Sequence, residues 1–178
     1  NIDLLSRYGS DAAEAQLDRL GGASWQSRKA KAKQRLLDLA DKLIKVAAAR
    51  ERGACLAVLP ENFSFMGRNE AERRAIVERD GDGPAQTAMA AAARELRLWI
   101  VAGTQPIAVP GDPRPANACV VYDDAGRRVA RYDKIHLFDV DLPGGREGYR
   151  ESANAVPGGK PVLVDTPAGR LGLTVCYD

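Results

Sequence analysis

Apolar residues Leu36, Leu39, Leu43, Val46 and Ala47 recur at three- and four-residue intervals between Ser27 and about Arg52, with Lys, Arg, Asp and Gln between them. That periodicity predicts an amphipathic helix, and Gly53 ends it. Ala54–Leu59 is then almost wholly apolar and reads as a buried strand that delivers Pro60-Glu61 at its C-terminal end. Helices are predicted over 71–79 and over 84–97, the second opening on Pro84 and presenting an alanine-rich face. A strand follows over 98–104. Segments 117–122 and 128–132 flank the polar turn Asp123-Asp124-Ala125-Gly126 and should pair as an antiparallel hairpin. The Gly-, Pro-, Arg- and Glu-rich stretch 139–159 reads as a long loop, and loops of that length inside a compact domain tend to be functional. Segments 161–165 and 171–176, joined at Pro167-Ala168-Gly169, form a last predicted strand pair.

Helices alternating with buried strands predict an α/β architecture of layered sheets. Residues 27–178 make up the predicted domain. Residues 1–26 stand apart: 11–20 could be a helix stopped by Gly21-Gly22, but no buried strand is evident there, so a separate cap or a disordered segment is expected.

Composition narrows the function classes. At 178 residues the chain can bury a core without disulfides or a metal. Its 26 basic and 24 acidic residues are interspersed, giving a net charge of +2 and no basic block that would imply nucleic acid. No apolar run reaches a membrane span, and residues 1–10 lack the basic-then-apolar order of a secretory signal, so the expectation is a cytoplasmic protein with no membrane partner. Three widely spaced cysteines argue against a disulfide framework and fit a reducing compartment; Cys55 and Cys119, in apolar runs, are expected to be buried core thiols.

Cys176, in Val175-Cys176-Tyr177-Asp178, carries the chemistry. A thiol attacking an amide or nitrile carbon needs a base and a positive group to hold the anionic adduct. Glu61 and Lys134 could supply them. Glu61 would be partly desolvated at the end of a buried strand, which suits a general base, although a capping or salt-bridging carboxylate explains it equally well. Most lysines at a hairpin exit face solvent, and a strand cysteine is more often inert core than nucleophile. His136, the lone histidine, offers a rival Cys–His dyad and is ranked below the glutamate; zinc held by three cysteines and one histidine is improbable without a Cys-x-x-Cys pair.

Taken together, Leu59-Pro60-Glu61-Asn62-Phe63, the run Lys-Ile-His-Leu-Phe-Asp-Val at 134–140 and Val175-Cys176-Tyr177-Asp178 resemble the nitrilase superfamily of carbon-nitrogen hydrolases, over roughly residues 30–178. The order matches the family's. So do the spacings, 73 residues from Glu61 to Lys134 and 42 from Lys134 to Cys176. The resemblance implies Glu61 as general base, Lys134 as the cation at the tetrahedral adduct, Cys176 as nucleophile and the Tyr177 backbone N–H at the oxyanion. A second family glutamate corresponds to Glu151, with Glu147 the lesser candidate. It also implies a cofactor-free enzyme, a homodimer, and an incomplete four-layer α-β-β-α sandwich. Segments 139–144 and 174–178 look most like the amidase branch acting on deaminated glutathione and on ω-amides of α-keto acids. The expected reaction is cleavage of a small amide through a thioester with loss of ammonia; nitriles and carbamoyl amines stay open. Family members carry an apolar strand before the first helix and further strands after the cysteine. The 178-residue chain alone is therefore expected to fray at Cys176 and to show little activity, with a non-catalytic remnant that binds a partner as the alternative.

Overall fold

The computed structural model describes residues 25–141 and 148–178, with side chains from residue 38 onward. The chain divides into two units, Asn1–Gly53 and Ala54–Asp178. In the first, helix α1 (Trp25–Glu51) starts two residues before the expected Ser27. It buries Leu39, Leu43 and Val46, spaced by four and three, and ends at Gly53 in a left-handed conformation (φ 87°) that glycine adopts without a Cβ penalty. The possible helix over 11–20 lies outside the described residues.

The second unit is built on a four-stranded sheet in the order β1-β2-β3-β4. Strand β1 (Leu56–Val58) runs parallel to β2 (Trp99–Val109), while β3 (Asp112–Tyr122) and β4 (Arg128–Asp133) continue antiparallel. The crossover from β1 to β2 carries helices α2 (Glu70–Arg74) and α3 (Pro84–Leu96). Because side chains alternate along a strand, one sheet face presents Val101, Cys119, Val121 and Tyr132. These form a core with Val164, Leu173 and Val175 from the pair β7 (Leu163–Thr166) and β8 (Gly169–Gly172) and the segment after it. The opposite face carries Ile100, Ala102 and Val120, and α3 packs on β2 and β3 through Ala88, Met89, Ala92 and Ala93. The small side chains let α3 approach closely: a Cβ on Gly126, in the β3–β4 turn, would lie 2.3 Å from the Ala90 carbonyl oxygen. The result is an α/β fold with helix, sheet and sheet in layers.

Several expectations change. Strand β1 is short and its Val58 is 67% exposed, so this segment is not buried throughout; Cys55 is exposed, whereas Cys119 is buried as expected. The predicted helix over 71–79 stops at Arg74, because Glu78 pairs with Ile107 as a β-bridge and its carboxylate caps α3, accepting from the N–H groups of Ala85 (2.7 Å) and Gln86 (3.2 Å). The 139–159 stretch is not loop throughout. It contains β5 (Asp139–Asp141) paired with β6 (Gly148–Arg150), then a 3₁₀ turn over Glu151–Ala153. Segment 171–176 leaves strand geometry after Gly172. Among the described residues no helix is long and apolar enough to cross a membrane.

Candidate active site

Glu61 follows β1, and its position is fixed by an irregularity in β2. The β2–β3 register shifts between Ala102 and Gln105, and the intervening Gly103 and Thr104 receive the Pro60 turn. A Cβ at Gly103 would sit 1.9 Å from the Pro60 carbonyl oxygen, so only glycine permits the approach. Thr104, fully buried, then accepts the Asn62 N–H on its Oγ1 (2.9 Å) and the Phe63 N–H on its carbonyl (3.1 Å). These bonds hold Asn62 at φ 54°, a left-handed conformation that asparagine tolerates.

Lys134 leaves β4 with its N–H on the Asn117 carbonyl (3.0 Å). Its carbonyl accepts the Gly158 N–H (2.8 Å), and a Cβ on Gly158 would lie 2.0 Å from the Asp133 carbonyl oxygen. The side chain is 2% exposed, which for an ammonium requires paired acceptors. Nζ donates to Glu151 Oε2 (2.9 Å) and Glu61 Oε1 (3.3 Å). Burial pulls the Lys134 pKa down, but the hydrogen bond and charge of Glu151 and the charge of Glu61 outweigh it, so the pKa is raised and the amine stays charged.

Glu151 has both oxygens engaged: Oε2 also accepts the Phe138 N–H (2.7 Å), and Oε1 accepts Asn117 Nδ2 (3.3 Å). Glu61 differs. Its Oε1 accepts Asn117 Nδ2 (2.7 Å) and Lys134 Nζ, and among the described residues Oε2 accepts nothing. Asn117 thus bridges both carboxylates, a residue that sequence reasoning missed; its one signal was an amide interrupting the small apolar run Ala116-Asn117-Ala118 on β3.

Cys176 is exposed at φ 52°, left-handed for a residue with a Cβ, a conformation costing about 1–3 kcal/mol that the surroundings must hold. Its thiolate would add to the negative field that keeps Lys134 charged, so the two groups are electrostatic neighbours. Tyr177, 60% exposed, sets its ring edge-on to Phe138 with centroids 5.3 Å apart. The Asp178 carboxylate bonds the Cys176 segment to the residues around Lys134. His136 directs Nδ1 to Asp178 Oδ1 (3.1 Å), and no hydrogen bond joins it to Cys176. Glu147 lies outside the described residues, and among those described no three His, Cys, Asp or Glu side chains converge as metal ligands.

A cavity of about 360 Å³ adjoins this cluster through Asn117 and Glu151, and Arg73, Arg74 and Arg150 stand in its wall. Arg73 pairs with Glu70 and Arg150 with Asp141. Arg74 donates to the neutral Asn154 Oδ1 (3.0 Å), and no carboxylate pairs with it among the described residues.

Residues 12–178 match the family model described as carbon-nitrogen hydrolase. The chain is 40% identical to the deaminated glutathione amidase of Yersinia enterocolitica, over 71% of its own length and 44% of that protein. It is 38% identical to the chloroplastic omega-amidase of Arabidopsis thaliana, over 82% of the chain and 39% of the relative. It therefore spans less than half of either protein. Among solved structures it superposes with a TM-score of 0.59 and 28% identity on a mutant amidase from Nesterenkonia sp. AN1 that carries acrylamide added at its active site cysteine, covering 80% of this chain and 50% of that one. The chain belongs to the carbon-nitrogen hydrolase family, within the nitrilase superfamily and on the branch of its deaminated glutathione amidase and omega-amidase relatives.

Proposed function

We propose that the protein to which this chain belongs hydrolyses a small, carboxylate-bearing primary amide through a thioester on Cys176. The observation that carries this reading is the asymmetry of the two carboxylates around Lys134. Glu151 has both oxygens engaged and serves to hold the lysine, whereas Glu61 keeps Oε2 available for a proton. Glu61 takes the Cys176 thiol proton as sulfur bonds to the amide carbon. Lys134 Nζ and the Tyr177 backbone N–H face the oxyanion that develops. The adduct collapses, the carbon–nitrogen bond breaks, and the proton on Glu61 passes to the departing nitrogen, releasing ammonia. Water, deprotonated by the same carboxylate, attacks the thioester; the acid leaves and the thiol is restored.

The carboxylate requirement is supported by Arg74, the cavity-wall cation with no described acid partner. An amidase acting on cytoplasmic metabolites also fits three free cysteines, and the family resemblance supports a homodimer.

Ammonia release from ω-amides of small keto acids tests the reading. Cys176→Ala and Glu61→Gln should each abolish turnover. Arg74→Ala should raise KM about tenfold for a carboxylate-bearing amide, leave kcat within about twofold, and leave a neutral amide unaffected. Turnover surviving Cys176→Ala would reject the nucleophile; equal losses on charged and neutral amides would reject the carboxylate requirement.

A further inference from the structure

We propose that Asp178 is a positioning residue that locks the turn carrying Cys176 onto the strand end carrying Lys134; this rests on the reading of Cys176 as nucleophile. One carboxylate, with its side chain 4% exposed, collects donors from both segments. On the Cys176 side, Oδ2 accepts the Val175 N–H at 2.9 Å while the Asp178 N–H returns to the Val175 carbonyl at 3.1 Å, closing the turn around Cys176. On the Lys134 side, Oδ2 accepts the Tyr132 O–H at 2.6 Å and Oδ1 accepts the His136 N–H at 2.8 Å, with His136 Nδ1 3.1 Å away. Tyr132 and His136 flank Lys134 by two residues on either side, and the Tyr132 hydroxyl also accepts the Ile135 N–H (3.2 Å).

The geometry explains how an exposed cysteine keeps a left-handed backbone. Three N–H or O–H donors and a histidine nitrogen converge on the two oxygens, and a carboxylate accepts at both. An asparagine in its place would turn an NH₂ toward donors and lose at least one bond on one side. Released from the strand, the turn could relax Cys176 to negative φ and carry the sulfur away from the Lys134 ammonium, which would favour negative charge developing on it during attack.

The test uses iodoacetamide alkylation of the 178-residue chain, resolved cysteine by cysteine by peptide mass spectrometry. Buried Cys119 reports whether the fold is intact, and exposed Cys55 reports reagent quality. Asp178→Asn should slow Cys176 alkylation at pH 7 about tenfold with Cys119 still protected, and Tyr132→Phe about threefold. Lys134→Gln should slow Cys176 in the parent chain but change it less than twofold once Asp178 is Asn, because the two groups are then no longer held together. Rates within twofold of the parent in both variants, or a Lys134→Gln effect that persists undiminished, would overturn the proposal. Should Asp178→Asn expose Cys119, the Tyr132→Phe rate decides alone. Ammonia release by Cys176→Ala separates failure of the nucleophile reading from failure of the lock, since the alkylation rates do not depend on turnover.

Discussion

Lys134 is charged because two carboxylates accept from its buried ammonium, and the same surroundings set what its removal should do. On the proposed mechanism, Lys134→Gln keeps hydrogen-bonding capacity but deletes the charge that would face the oxyanion, so kcat should fall about a hundredfold or more with KM little changed. A near-normal kcat with a raised KM would place the lysine in substrate capture instead. The pH dependence follows from the raised pKa: with a folded value above the ordinary 10.5, the stabilisation from the charged amine is complete below that value and is lost as pH rises through the folded pKa. Asp178 runs the other way. Burial pushes its carboxyl up, but bonds from Tyr132, His136 and Val175 outweigh this and hold it below the usual 3.8; its contribution is present above 3.8 and is lost as pH falls through the folded value. Denaturation midpoints in urea should therefore be flat in these two terms across the neutral range, falling in strong acid in the parent chain and less so in Asp178→Asn.

At the scale of elements, the site exists because β2 is irregular. Gly103 gives up regular pairing so that the Pro60 carbonyl can enter, and Glu61 is thereby aimed across the sheet end toward Lys134. Gly103→Ala forces a Cβ into that oxygen; it should cost about 1–3 kcal/mol in urea unfolding and lower kcat without touching any ionisable group. Unchanged stability and unchanged kcat would show that the Pro60 turn is not seated there. Hydrophobic periodicity made α1 and α3 legible, because each buries a stripe at helical spacing. It also gave the hairpin of β3 and β4, whose turn chemistry is local. The helix over 71–79 was misread because what ends it is tertiary: Glu78 leaves the helix to cap α3 and to pair with Ile107. The strands hidden in 139–159 are three residues each and mostly exposed, so no periodicity could announce them. Motif order singled out Glu61, Lys134, Glu151 and Cys176, and the first three meet in the structure, whereas Asn117 and Asp178 were not legible, since each bonds across segments distant in sequence.

On the scale of the molecule, the α/β framework brings together groups 73 residues apart in sequence: the turn after β1 and the exit of β4 meet where Lys134 bonds Glu61. The 3₁₀ turn after β6 adds Glu151, and the segment beyond β8 carries Cys176 to the same end of the sheet through the core residues Leu173 and Val175. The central claim is that Cys176 attacks an amide carbon and holds the acyl group as a thioester. The most direct measurement is intact-mass spectrometry of the protein quenched in acid during turnover of an ω-amide, with peptide mapping of any adduct. The expected result is a gain equal to the substrate minus ammonia, located on the Cys176 peptide, labile to hydroxylamine and absent in Cys176→Ala. An adduct on another residue, or one that persists in Cys176→Ala, would contradict it.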